Sequence, residues 1–65
     1  MLTSHVRQVM EEKGLTVREV VEKTGLAKQT INRARGDLIG RCTLDTLATI
    51  AGALGTKAKD LFSED

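Results

Sequence analysis

Lys28, Gln29, Asn32 and Arg33 are the residues whose types and spacing could carry chemistry in this 65-residue chain. At 100° per residue they fall on one side of a helix over about 27–35, while Ile31 and Ala34 fall nearly opposite. Amide and guanidinium groups present paired hydrogen-bonding atoms and an ammonium presents donors, so this face can read the polar edge of a partner. An ordinary solvated helix face has the same composition. Catalysis is the weaker alternative: one His (His5) and one Cys (Cys42) among scattered acids build neither a nucleophilic triad nor a tetrahedral zinc set. The chain is not expected to be an enzyme or to need a cofactor or metal. His5 and Cys42 are read as structural.

The elements that position the polar face are written just upstream. Thr16 and Glu19 have the spacing of a capping box, in which the Thr hydroxyl accepts from the Glu amide and the Glu carboxylate accepts from the Thr amide. Leu15 and Val20 have the spacing of a hydrophobic staple. Val17, Val20, Val21 and Thr24 then recur at helical intervals. These are mediocre helix formers, so the helix needs a packing partner. Gly25 stands where a helix ends in the left-handed conformation, which costs most other residues about 1–2 kcal/mol. The spacing thus predicts two short helices joined by a sharp glycine turn.

That stretch resembles the helix-turn-helix of the phage-repressor type, the Cro-like or Xre family. The shared pattern is Leu15-Thr16, Val20-Val21, Gly25, Leu26, Ala27 and Ile31 in register. Thr43-Leu44-Asp45-Thr46-Leu47 with Ile50, Ala51, Leu54, Gly55 and Asp60-Leu61-Phe62 resembles the family's last two helices, so nearly the whole chain is covered. The resemblance implies an all-α, five-helix repressor-like domain over residues 1–65 with the helix-turn-helix at helices 2 and 3. It also implies double-stranded DNA as partner and transcription regulation, by repression, as function. Alternatives are the antitoxin of a toxin–antitoxin pair and a protein-interaction module that kept the fold without DNA binding.

Carried over residue by residue, the resemblance makes Lys28, Gln29 and Arg33 base readers, with Asn32 beside them and Ala27 at a position that can touch a thymine methyl. Arg pairs with guanine O6 and N7, and Gln or Asn with adenine N6 and N7. Arg18, Thr30, Arg35 and Arg41 are phosphate candidates, together with the free amides near Val17. Arg41 entering the minor groove, or each Arg being simply solvated, remains open. Valine at position 17 replaces a glutamine that often clamps a phosphate in the family. Val21 replaces a usual alanine, implying wider packing of the two helices, and Ala34 is smaller than usual. The family's two-fold interface often lies at the end of the domain, so Leu61 and Phe62 are expected at a homodimer contact, unless Phe62 closes the core instead.

Composition agrees with a small helical domain: there is one Phe, one Cys, and no Trp, Tyr or Pro. A chain this short buries only roughly 60% of its unfolded surface. No disulfide, membrane helix, signal peptide or small-molecule pocket is legible, and a reducing cytoplasm is the expected setting. The net charge is only +1, yet residues 28–41 carry Lys28, Arg33, Arg35 and Arg41 against Asp37 alone, a local +3.

Elsewhere, Thr3 or Ser4 is expected to cap a first helix with Leu2, Val6, Val9 and Met10 on its inner face, ended by Gly14. Thr43 is expected to cap a fourth with Leu44, Leu47, Ile50, Ala51 and Leu54 inside. Gly52 in that helix either permits a close approach or weakens it. Thr56 is expected to cap a fifth helix from Lys57 to Phe62, before the acidic end Ser63-Glu64-Asp65.

Overall fold

Two of the four α-helices begin on a threonine whose hydroxyl takes up an amide that helix geometry leaves free. The computed structural model describes residues 2–64. In order, the elements are β1 (Leu2–Ser4), α1 (Val6–Lys13), α2 (Val17–Thr24), α3 (Lys28–Ala34), a 3-10 turn (Asp37–Arg41), α4 (Leu44–Leu54), a second 3-10 turn (Ala58–Leu61) and β2 (Phe62–Glu64). The expected fifth helix is this second 3-10 turn, so four α-helices stand among the described residues, beside a small sheet. None is long and apolar enough to cross a membrane.

At α2, Glu19 N donates to Thr16 Oγ1 (3.2 Å) and Thr16 N to Glu19 Oε1 (3.0 Å), which completes the capping box. Gly25 closes α2 at φ +73° and donates its amide to Val21 O. At α4, Thr46 N donates to Thr43 Oγ1 (3.1 Å).

The first helix departs from expectation. Leu2–Ser4 pairs antiparallel with Phe62–Glu64, with Thr3 opposite Ser63, so these residues are strand rather than cap or helix stripe. His5 occupies the N-cap position without a side-chain cap bond, and Ser4 Oγ, one residue further out, accepts from Val6 N (3.3 Å). The sheet exists because the end of the chain returns beside its beginning: His5 N donates to Leu61 O (2.8 Å), and His5 Nε2 lies 3.0 Å from Ser63 Oγ. His5 therefore has a structural place in joining the two ends. Asp65 lies outside the described residues.

Val6, Met10, Val20, Ile31, Ala34, Ile39, Leu47, Ile50, Ala51, Leu54 and Leu61 form one core, to which every helix and both 3-10 turns contribute. Within the first 3-10 turn Ile39 tucks inward, whereas Leu38 stays 48% exposed. Leu44, expected on the inner face of α4, is 69% exposed. It is the first residue of the helix, and because helical Cα–Cβ bonds tilt toward the N-terminus, its side chain leans past the end of the core. Thr56 does not cap the last turn either. It donates to Asp60 Oδ2 (2.9 Å), which also accepts from Lys57 N (3.3 Å), and these bonds hold the Asp60 carboxyl below its ordinary pKa.

Gly52 is exposed, and a Cβ built there would meet nothing within 4 Å. No close approach requires it. Gly52→Ala should therefore stabilise the domain by about 0.5–1 kcal/mol through helix propensity, read as a higher midpoint in urea; a lower midpoint would reveal a contact made in another state of the protein.

Candidate nucleic-acid interface

Helix α3 is held on its inner side, and its outer side is left bare. It packs against α2 and the first 3-10 turn, with Ile31 and Ala34 fully buried. Lys28, Gln29, Asn32 and Arg33 are all exposed, as is Ala27 at the N-cap position. Thr30 and Arg35, at the two flanks of the wheel, are half-buried. The burial thus follows the 3.6-residue period and brings the five proposed base readers to one surface.

The turn before α3 has a second fastening that sequence reading missed. Thr24 Oγ1 donates to Val20 O (2.7 Å) and accepts from Leu26 N (3.1 Å), bridging the last turn of α2 to the residue beyond Gly25. Helical spacing groups Thr24 with the valines of α2; a hydroxyl beside a helix-ending glycine is the signal that reveals its bridging role. At the other end of α3, Ser4 Oγ donates to Ala34 O, so the terminal sheet holds the C-terminal carbonyl of the helix. No local pattern points to a bond spanning thirty residues.

The phosphate candidates lie on three elements: α2, the end of α3 and the end of the first 3-10 turn. Arg18 is exposed and lies 3.4 Å from Glu22 in an i,i+4 ion pair, an interaction worth only about 0.3–0.5 kcal/mol and so readily exchanged. Val17 is the first residue of α2, where helix geometry leaves amides without an intrahelical acceptor. Arg35 Nη1 donates at 3.5 Å to Asn32 Oδ1, and its Nε is buried with no partner. Arg41 is exposed at the end of the first 3-10 turn. Cys42 follows it, half-buried. Burial pushes its thiol pKa up, opposed by the charge of nearby Arg33, so the group remains a protonated thiol at neutral pH.

Leu61, expected at a contact between copies, is a correction. It is fully buried in its own chain, because the second 3-10 turn directs it into the core, and it has no surface to offer a partner. Phe62 is half-buried and packs against that core.

Two packed helices, a left-handed glycine between them and a bare polar face on the second are the architecture of a helix-turn-helix. The family model of the Cro/C1-type HTH DNA-binding domain matches residues 5–63. The chain belongs to this family. The Cro/C1-type domain is also similar to the "SPbeta prophage-derived uncharacterized HTH-type transcriptional regulator YotL" of Bacillus subtilis (strain 168), at 32% identity over 59 residues, covering 91% of this chain and 74% of that protein. No solved structure matches. In the Cro/C1-type domain, α2 and α3 form the helix-turn-helix.

Proposed function

We propose that this Cro/C1-type domain binds specific double-stranded DNA sites as a homodimer and represses transcription there. The observation that carries the reading is the exposed set Lys28, Gln29, Asn32 and Arg33 on a helix whose opposite side is locked into the core. Those four side chains supply donors for guanine and donor–acceptor pairs for adenine. Arg18, Arg35 and Arg41, with the amides at the start of α2, hold phosphates on either side. YotL, named as a transcriptional regulator, supports the regulatory role. Repression is the simplest mode, since occupying a site blocks other proteins from it. A reducing cytoplasm is the setting this reading implies.

The homodimer follows from how little one helix can read. A single α3 spans a few base pairs, and two copies on half-sites about 34–36 Å apart double the contacts and the specificity. The exposed Leu38 and Leu44 and the half-buried Phe62 are apolar side chains with surface left for such a contact. Selection of bound sites from random duplex DNA at a stated salt concentration tests the whole proposal. The expected result is an inverted repeat whose half-site centres lie one helical turn apart. Enrichment of a lone half-site, with the free protein sedimenting as a monomer, would reject the homodimer; no enrichment would reject sequence-specific binding.

A further inference from the structure

We propose that Ser4 is a positioning residue for base reading: its hydroxyl closes the C-terminal turn of α3 from across the chain and so fixes where Asn32 and Arg33 meet DNA. This rests on the DNA-binding reading above and adds to it a residue that touches no DNA.

The other three α-helices each end on a glycine in the left-handed conformation: Gly14, Gly25 and Gly55. Helix α3 ends instead on Arg35, in the right-handed region at φ −78° and ψ −10°. An arginine at that position supplies a cation for phosphate, but the helix end then lacks the local closure that a left-handed glycine gives. Two of the terminal carbonyls are still met nearby: Ile31 O accepts from Arg35 N (3.0 Å) and Arg33 O from Gly36 N (3.3 Å). Ala34 O accepts from Ser4 Oγ, thirty residues away.

Ser4 is a fixed donor. Its Oγ lies 3.3 Å from Val6 N, which can only donate, so the single hydroxyl proton is left for Ala34 O, which can only accept. Its backbone cannot follow a moving helix, because Ser4 pairs with Phe62 and the next residue, His5, donates its amide to Leu61 O (2.8 Å). The seven residues of α3 make about two turns. The first turn, with Lys28 and Gln29, follows the Gly25 turn and the Thr24 bridge; the last carries Asn32 and Arg33 and is closed by Ser4. Without the hydroxyl, the last turn would be ordered only on binding, at a cost taken from affinity.

The test titrates the parent, Ser4→Ala and Ser4→Thr on the selected duplex, on random duplex, and on selected duplexes altered one base pair at a time. Arg33→Ala identifies beforehand which base pair belongs to Arg33. In Ser4→Ala, affinity for the selected duplex should fall about fivefold, near the worth of one hydrogen bond, while affinity for random duplex should change less than about twofold. The penalty for altering the Arg33 base pair should shrink, and the penalties at base pairs read by the first turn should persist. Ser4→Thr keeps the hydroxyl and should restore the parent profile. The ratio of selected to random affinity is independent of the fraction folded, since unfolded protein is missing from both titrations, so a partly folded variant still decides the matter.

Equal loss on selected and random duplexes, or no loss on either, would overturn the inference. So would a uniform shrinkage of every base-pair penalty, or a Ser4→Thr variant that behaves like Ser4→Ala. In each of these cases the parent still selects its site, whereas a parent that selects no site would overturn the DNA-binding reading itself and the role of Ser4 with it.

Discussion

Ile31→Ala should lower the unfolding free energy by about 2–5 kcal/mol, the range for emptying a buried aliphatic site. Ile31 is fully buried on the inner side of α3, where this helix meets α2 and the first 3-10 turn. A 65-residue domain at about 0.05–0.15 kcal/mol per residue has only roughly 3–10 kcal/mol in total. The variant should therefore lose a large share of its stability, and any weakening of binding that comes from unfolding should fall on every duplex together. Urea unfolding read by circular dichroism measures the loss directly, with Ile31→Val as a graded control expected to cost about 0.5–1.5 kcal/mol. A loss below about 1 kcal/mol for alanine would mean that α3 is not held by the core at Ile31.

The second large effect separates contacts that specify from contacts that position. Arg33→Ala should weaken the preferred duplex by about 1–3 kcal/mol and relax preference at one base pair. Its side chain is exposed, so the fold should be indifferent to its loss. Arg41→Ala, on the exposed end of the 3-10 turn, should instead weaken all duplexes alike and reduce the salt slope by about 1. Arg41 is a cleaner phosphate probe than Arg35, whose half-buried side chain also contributes packing. Titrations of each variant on selected and random duplexes at several salt concentrations provide the check. Equal loss on both duplexes for both variants would remove Arg33 from the base-reading set.

These two variants also mark the limits of what a sequence of this kind reveals. The exposed polar face of α3 was legible because burial and exposure alternate along the helix with its period, and Ile31 and Ala34 stand opposite Lys28, Gln29, Asn32 and Arg33. The same logic misplaced Leu44. Its type suits the inner face of α4, yet the first residue of a helix has core on one side only. Leu61 shows the converse, an apolar residue near the end of the chain that reads as available surface until the last turn carries it inward. Val21 likewise looked like a packing problem at a helix crossing. In the structure it is half-buried and lines a groove with Val17 and Lys28.

By itself, the sequence determined the helix-turn-helix: the capping box of Thr16 and Glu19, the left-handed Gly25, the cap at Thr43 and the two sides of α3. Each depends on residues within four positions of one another, where bond geometry leaves few alternatives and a hydrogen bond or a steric preference decides. Only the tertiary structure decided that Leu2–Ser4 pairs with Phe62–Glu64, that Ser4 holds the last carbonyl of α3, and that His5 reaches Ser63. Only it brought Val17, Val21 and Lys28 around one groove. Those partners are brought together by collapse onto a shared core, and the many contacts that select that arrangement are spread over the whole chain, so no short pattern of residues encodes them.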